Sequence, residues 1–194
     1  MKESLRENFS EYLKQFYHLS PESLEVLLSF FKPIKRNKNE FIIKEREKAS
    51  KIAFLNNGLV RLFFQNEKGE EFNKILLKSP SLVAAYSSLL TNKTNKINIQ
   101  CLTDCLFFEV DYNKLTSLYD TYRDIESLNR KIVEWFFVEM EKRQMSLIMY
   151  NAKERYEVFK KDFPEYENHI QQYHIASYLG ITPTQLSRIR STRN

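Results

Sequence analysis

The chemistry-bearing stretch of this 194-residue chain is HIASYLGITPTQLSRIR, residues 174–190. Thr184, Gln185, Ser187 and Arg188 all donate or accept hydrogen bonds, and at helical spacing they share an outward surface with Ser191 at its margin. Such a set reads base edges in double-stranded DNA. The guanidinium of Arg188 can pair in bidentate fashion with the O6 and N7 of guanine, the commonest specific contact in the major groove. Thr182 and the backbone amides after it suit a phosphate, because the unpaired N–H groups and positive end of a helix favour anions. Arg190, Arg193 and Lys161 add attraction for the polyanionic backbone.

Those side chains need two short helices to hold them. Ile175, Ala176 and Leu179 recur at helical spacing, and Gly180 supplies the backbone freedom that a helix end prefers. Thr182 is an N-cap residue, Pro183 suits the first helical position, and Gln185 stands where a capping box requires it, so a second helix is expected from about Pro183. Ala176 lies four residues before Gly180, with Leu186 and Ile189 beyond and Ile175, Leu179 and Ile181 alongside. That is helix-turn-helix spacing: a small residue lets the helices approach, glycine makes the turn, and later apolar residues seat the second helix, which would lie in the major groove.

Hydrophobic residues at 42%, with 14% aromatic, are enough to fill a real core in a chain of this length. No apolar run reaches the length needed to span a bilayer, and MKESLRENFSEYLKQF mixes charged and apolar residues instead of forming a signal peptide's apolar block. A cytoplasmic protein without membrane contact is expected. Cys101 and Cys105 are too few for a disulfide framework and read as small core residues. A net charge of +5 permits a polyanionic partner without requiring one.

Residues 1–31 carry helical spacing, with Leu13, Phe16 and Tyr17 in one cluster and Leu24, Leu27 and Leu28 in the next, separated by a helix start at Ser20–Pro21. From Pro33 to Val110 the pattern changes to short apolar runs: EFIIKE, KIAFLNNGLVRLFFQ, EFNKILL, INIQCL and CLFFEV. These read as strands of a small β-barrel or jelly roll, interrupted by a helical piece near SLVAAYSSLL. Asn57–Gly58 predicts a type I′ hairpin between two of them, and Gly69 a second turn. Asp111 is placed to cap the start of a wholly helical second half, whose long helix is expected to break near Asn151. Along it Ile125, Leu128, Ile132, Trp135, Phe136, Met140 and Leu147 form an apolar face wider than folding back on one barrel needs. The surplus predicts a second copy, hence a homodimer.

Enzyme chemistry has little to work with. His18, His169 and His174 all lie outside the strand region, which excludes a jelly-roll metal enzyme held by clustered histidines. Three glycines cannot form a Walker-type loop, and Ser87 and Ser88 have no histidine nearby in the barrel to activate them, so they read as packing or turn residues. No catalytic residue, metal or cofactor is expected. The competing reading is a ligand-binding or interaction module whose helix-turn-helix is vestigial.

The order of parts, a helical layer, jelly roll, long helix, AKERYEVF and then HIASYLGITPTQLSRIR, resembles the cyclic AMP receptor protein and fumarate-nitrate regulator (Crp/Fnr) family, in particular short members common in Bacteroidetes. The resemblance covers nearly the whole chain and is most specific in residues 152–190. It implies an α+β protein: a cyclic-nucleotide-binding-like sensor with N-terminal helices over residues 1–110, a linker and dimerisation helix over 111–150, and a DNA-binding region over 151–194. It implies a homodimeric transcription regulator with double-stranded DNA as partner, and admits RNA polymerase and an unidentified small-molecule effector as others. The family's base-facing positions fall on Pro183, Thr184 and Arg188, of which only Arg188 keeps the usual arginine. Its wing strands after the recognition helix are expected to be missing, because the sequence stops four residues after Arg190.

The sensor departs from the family pattern. Cyclic-nucleotide binders of this family carry a Gly-Glu pair for the ribose and an Arg-Ser or Arg-Thr pair for the cyclic phosphate. Registering CLTDC on the following strand puts Ala84–Ala85 and Asn95–Lys96 at those places. Both polar anchors are lost, and Lys93 and Lys96 read as solvated point charges. Ala84, Ala85, Tyr86, Ser87, Asn95 and Lys96 are the candidate pocket for some other ligand, or simply barrel packing.

Overall fold

The computed structural model describes residues 2–191. Helix α1 (Lys2–Lys14) and helix α2 (Pro21–Phe30) open the chain. The Ser20 hydroxyl accepts the Ser23 N–H at 3.1 Å, and Pro21 follows at the first helical position, so α2 begins where the sequence predicts.

Eight strands follow, β1 (Lys32–Arg36), β2 (Phe41–Ile43), β3 (Lys51–Asn57), β4 (Leu59–Gln65), β5 (Glu71–Lys78), β6 (Ser81–Val83), β7 (Asn98–Cys101) and β8 (Cys105–Asp111), with the short helix α3 (Tyr86–Thr91) between β6 and β7. They form two four-stranded antiparallel sheets, ordered β1-β8-β3-β6 and β2-β7-β4-β5. The inner faces meet over Leu55, Val60, Ile99, Cys101 and Phe107, all buried, with Cys105 at the edge of the same cluster. Both cysteines are free and buried, as expected of small core residues.

Gly58 corrects one expectation. Strands β3 and β4 lie in different sheets, so Asn57–Gly58 is not a type I′ hairpin but the corner where the chain crosses the sandwich. Only Gly58 of the pair takes positive φ, at +110°. A Cβ there would lie 2.6 Å from Cys105 Sγ and 2.8 Å from the Asp104 carbonyl oxygen, so close approach of the β7–β8 turn demands glycine. An Asn-Gly pair signals a left-handed backbone without saying whether the flanking strands pair. The turn at Gly69 does join paired strands: Gly69 N–H donates to the Asn66 carbonyl at 3.0 Å between β4 and β5.

The second half is helical. Asp111 Oδ1 accepts from Lys114 N–H at 3.1 Å and caps α4 (Tyr112–Thr116). Helix α5 (Arg123–Met149) is the long one, and it stops where Asn151 forms a capping box with Glu154 to start α6 (Ala152–Asp162). Helices α7 (Gln172–Leu179) and α8 (Pro183–Ser191) complete the described residues.

Three cores result. The outer face of the first sheet packs Phe54 and Phe108 against α1, α2 and the start of α5. The sandwich interior is the second. In the third, Leu59, Leu76 and Leu102 of the barrel meet Tyr156, Phe159, Ile175 and Leu179 of the C-terminal helices.

Candidate nucleic-acid interface

Helices α7 and α8 meet at Gly180, whose φ of +68° is the left-handed turn expected after α7, and Ile181 N–H donates to the Ala176 carbonyl at 3.0 Å. Ile175, Ala176, Leu179 and Leu186 are fully buried at the crossing. The predicted capping box is present: Gln185 N–H donates to Thr182 Oγ1 at 3.2 Å, and Thr182 N–H donates to Gln185 Oε1 at 2.9 Å. Local chemistry thus sets where α8 starts, and burial of Leu186 seats it on the rest of the fold.

Thr182, Pro183, Thr184, Gln185, Ser187 and Arg188 are all exposed. Three of the predicted contacts are engaged within the chain, the Thr182 hydroxyl among them as the acceptor in the cap. Gln185 turns its amide back into the cap. Arg190 is half-buried, donates to Asn168 Oδ1 at 3.0 Å and lies 3.8 Å from Glu167, so it braces the loop before α7 instead of standing free for phosphate. Pro183, Thr184, Ser187 and Arg188 are exposed on one face of α8. Lys161 is exposed at the end of α6, and Arg193 lies outside the described residues.

Sequence reasoning missed how the pair is docked. Arg61 of β4 is 4% exposed. It donates to Glu71 Oε2 at 2.5 Å, to Gln100 Oε1 at 2.6 and 2.8 Å, and to His174 Nδ1 at 3.1 Å. A guanidinium has only donors, so Nδ1 is the acceptor and His174 is the neutral tautomer with its proton on Nε2. Burial, then the Arg61 charge, pushes the imidazole pKa down to about 4. Asn73 N–H donates to Ser177 Oγ at 2.8 Å, and its side-chain amide donates to the His174 carbonyl at 2.9 Å. The only sequence signal was an arginine in an otherwise apolar strand, LVRLFF.

The predicted dimer face divides. Ile125, Leu128 and Ile132 are buried within the chain's own helical core, against the first sheet and α2, and are not available to a partner. Phe136 is half-buried on the same core, and Trp135 packs its ring edge on Phe16 with centroids 5.5 Å apart while remaining partly exposed. Met140 is half-buried and Leu147 exposed. Phe137 and Ile148, exposed on the same side of α5 as Met140 and Leu147, were overlooked because a broad apolar pattern hides which stripe the core takes first.

The six candidate pocket residues do not converge. Ala84 packs toward the helical layer and Ala85 into the sandwich. Tyr86 sets its ring edge on Tyr112 and accepts from Asn129 Nδ2 at 3.5 Å. Ser87 and Lys96 are exposed, as is Lys93. Asn95 is buried and its amide donates to the Ile97 and Lys44 carbonyls, so it pins its own loop. Among the described residues no cluster of three His, Cys, Asp or Glu could hold a metal ion, and no helix is long and apolar enough to cross a membrane.

Comparison places this geometry. Residues 33–122 match the family model described as cyclic nucleotide-binding domain. Among solved structures, FixK2 from Bradyrhizobium japonicum has a TM-score of 0.72 at 16% identity, covering 84% of this chain and 83% of its own. The c-di-GMP-responsive global regulator CLP of Xanthomonas campestris gives 0.69 at 12%, covering 89% and 91%. The catabolite activator protein of Thermus thermophilus gives 0.57 at 17%, covering 91% and 84%. The chain is an α+β protein with the fold of these Crp/Fnr-type regulators: barrel, long helix and C-terminal helices. Curated protein sequences give no match.

Proposed function

We propose that the chain is a transcription regulator of the Crp/Fnr type that binds double-stranded DNA as a two-fold dimer. The supporting observation is the α7–α8 pair: Leu186 and Ala176 are buried at its crossing, while Pro183, Thr184, Ser187 and Arg188 stay exposed on one face. Residues 1–110 act as sensor, 111–150 as linker and dimer helix, and 151–194 as DNA-binding region. In this reading Phe137, Met140, Leu147 and Ile148 form the seam between two copies, and the protein works in the cytoplasm alongside RNA polymerase without enzymatic activity. Its effector is something other than cyclic AMP, or absent.

Selection of binding sites from random duplexes, followed by gel shift, tests the reading. A two-fold-symmetric site with half-sites about 34 Å apart is expected. Binding that is weak, falls steeply with salt and shows no sequence preference would favour the interaction module instead.

A further inference from the structure

A cleft of about 740 Å³ opens where the β5–β6 corner, the second half of α5 and helix α6 meet. Leu77, Trp135, Phe136, Met140 and Phe163 give it apolar walls, and Arg143, Arg155 and Tyr178 close the end nearest α7. Its size lies in the range of small-molecule sites.

The cationic end is unbalanced. Arg143 stacks over the Tyr178 ring with its guanidinium carbon 4.0 Å from the centroid, and donates to the Tyr178 carbonyl. Among the described residues its Nε is buried without a partner. Arg155 donates to the Leu179 carbonyl at 2.8 Å and to the Tyr150 carbonyl. Among the described residues neither arginine is in an ion pair. Of the lining carboxylates, Glu139 is paired with Lys142 at 2.7 Å, and burial pushes the Asp162 carboxyl up. Two guanidiniums held by neutral carbonyls, one with a desolvated unpaired Nε, present the charge and donors that suit an anion.

We propose that this cleft is a binding site for a small carboxylic acid, with the carboxylate on Arg143 and Arg155 and an aromatic or alkyl body along Leu77, Phe136 and Phe163. The head is gripped by α5 and α6 together, so occupancy fixes the angle between the long helix and the DNA-binding pair. That consequence rests on the regulator reading; the binding does not.

Trp135 is the one tryptophan of the chain and lines the cleft, so its fluorescence reports occupancy. Titration with 4-phenylbutyrate and with decanoate is compared with 4-phenylbutanamide and decanamide. A saturable change is expected for at least one acid, at least tenfold tighter than for its amide. Arg143→Met should erase that preference while circular dichroism stays unchanged. Arg143→Lys, which keeps the charge and loses the Nε donor, should fall between and serves if Arg143→Met does not fold. Equal affinity for acid and amide, an Arg143 variant that folds and keeps the preference, or a silent Trp135 with every ligand, as a second copy seated in the cleft would produce, overturns the proposal. A chain that binds no DNA would still titrate, which separates failure of this site from failure of the regulator reading.

Discussion

Arg61 donates to His174 Nδ1 across 3.1 Å and thereby ties β4 of the barrel to the first helix of the candidate DNA-binding pair. The bond requires a neutral imidazole. Among the described residues Glu71, which pairs with Arg61, is the carboxylate acting on His174, and the Tyr173 ring lies against the imidazole with centroids 4.0 Å apart. Protonation would set two cations face to face in a buried place.

His174 therefore predicts acid sensitivity of the docked state. Its pKa falls from the ordinary 6.5 to about 4 in the folded chain, so folding is favoured fully above pH 6.5, and that contribution is lost as pH falls from 6.5 toward 4. The loss is on the order of 3 kcal/mol at the acid end. Thermal melts of the wild type and His174→Gln across pH 7.5 to 4.5 check it: the wild type should lose stability faster, and parallel curves would show that His174 does not carry the effect.

Ile132 and Phe137 should behave oppositely. Ile132 is 7% exposed inside the helical core, whereas Phe137 is 64% exposed on α5. Ile132→Glu buries an unpaired charge and should cost about 3 kcal/mol or more, enough to unfold a marginal domain. Phe137→Glu should leave the melting temperature nearly unchanged and convert a dimer to a monomer in sedimentation. A wild-type monomer at micromolar concentration would refute the dimer itself.

What the sequence made legible follows from range. The Thr182–Gln185 cap, the Gly180 turn, the Ser20 start of α2 and the Asn151 break are settled by contacts within a few residues, and each stands where its residues predict. The crowding of Gly58 by Thr103, Asp104 and Cys105 and the Arg61–His174 bond depend on partners far away in the sequence, which no local pattern encodes. The partner face of the long helix was only partly legible for a third reason: its apolar residues serve an internal core and an exposed surface together, and periodicity gives their angle on the helix without saying which neighbour lies there.

Gly58→Ala measures how tight the corner of the sandwich is. The added methyl meets Cys105 Sγ and the Asp104 carbonyl well inside contact distance, and the φ of +110° disfavours any L side chain. Backbone strain of about 1 to 2 kcal/mol adds to overpacking of about 1 to 3 kcal/mol. Denaturant unfolding should show a loss of several kcal/mol, whereas Gly69→Ala, where a Cβ would meet nothing within 4 Å, should lose only the left-handed strain.

Arg188→Ala should relax specificity at one base pair per half-site, at about 1 to 3 kcal/mol per contact, without flattening preference elsewhere. Arg190→Ala acts differently, because Arg190 braces Asn168 and its loss loosens the seat of α7. It should weaken binding to all sites alike and lower thermal stability. If Arg188→Ala left the ranking of selected sites unchanged, the recognition-helix assignment would be wrong.

Cyclic AMP is expected not to bind at physiological concentration. On the register expected from the sequence, Ala84 and Ala85 offer no carboxylate to a ribose, and Asn95, which that register sets opposite the phosphate-binding arginine of the family the sequence resembles, has its amide committed to the Ile97 and Lys44 carbonyls. Lys96 is exposed and supplies a mobile charge, but it cannot replace the ribose contact. Hydrogen bonds to a charged group contribute about 1.5 to 3 kcal/mol each, so losing two weakens binding by a few powers of ten. Replacing Ala85 with Glu alone should not restore binding, because the phosphate would still lack a guanidinium. Calorimetric titration with cyclic AMP and cyclic GMP checks this directly, and micromolar binding of either in the barrel would show that the placing of residues 79–105 against the family's nucleotide site is mistaken.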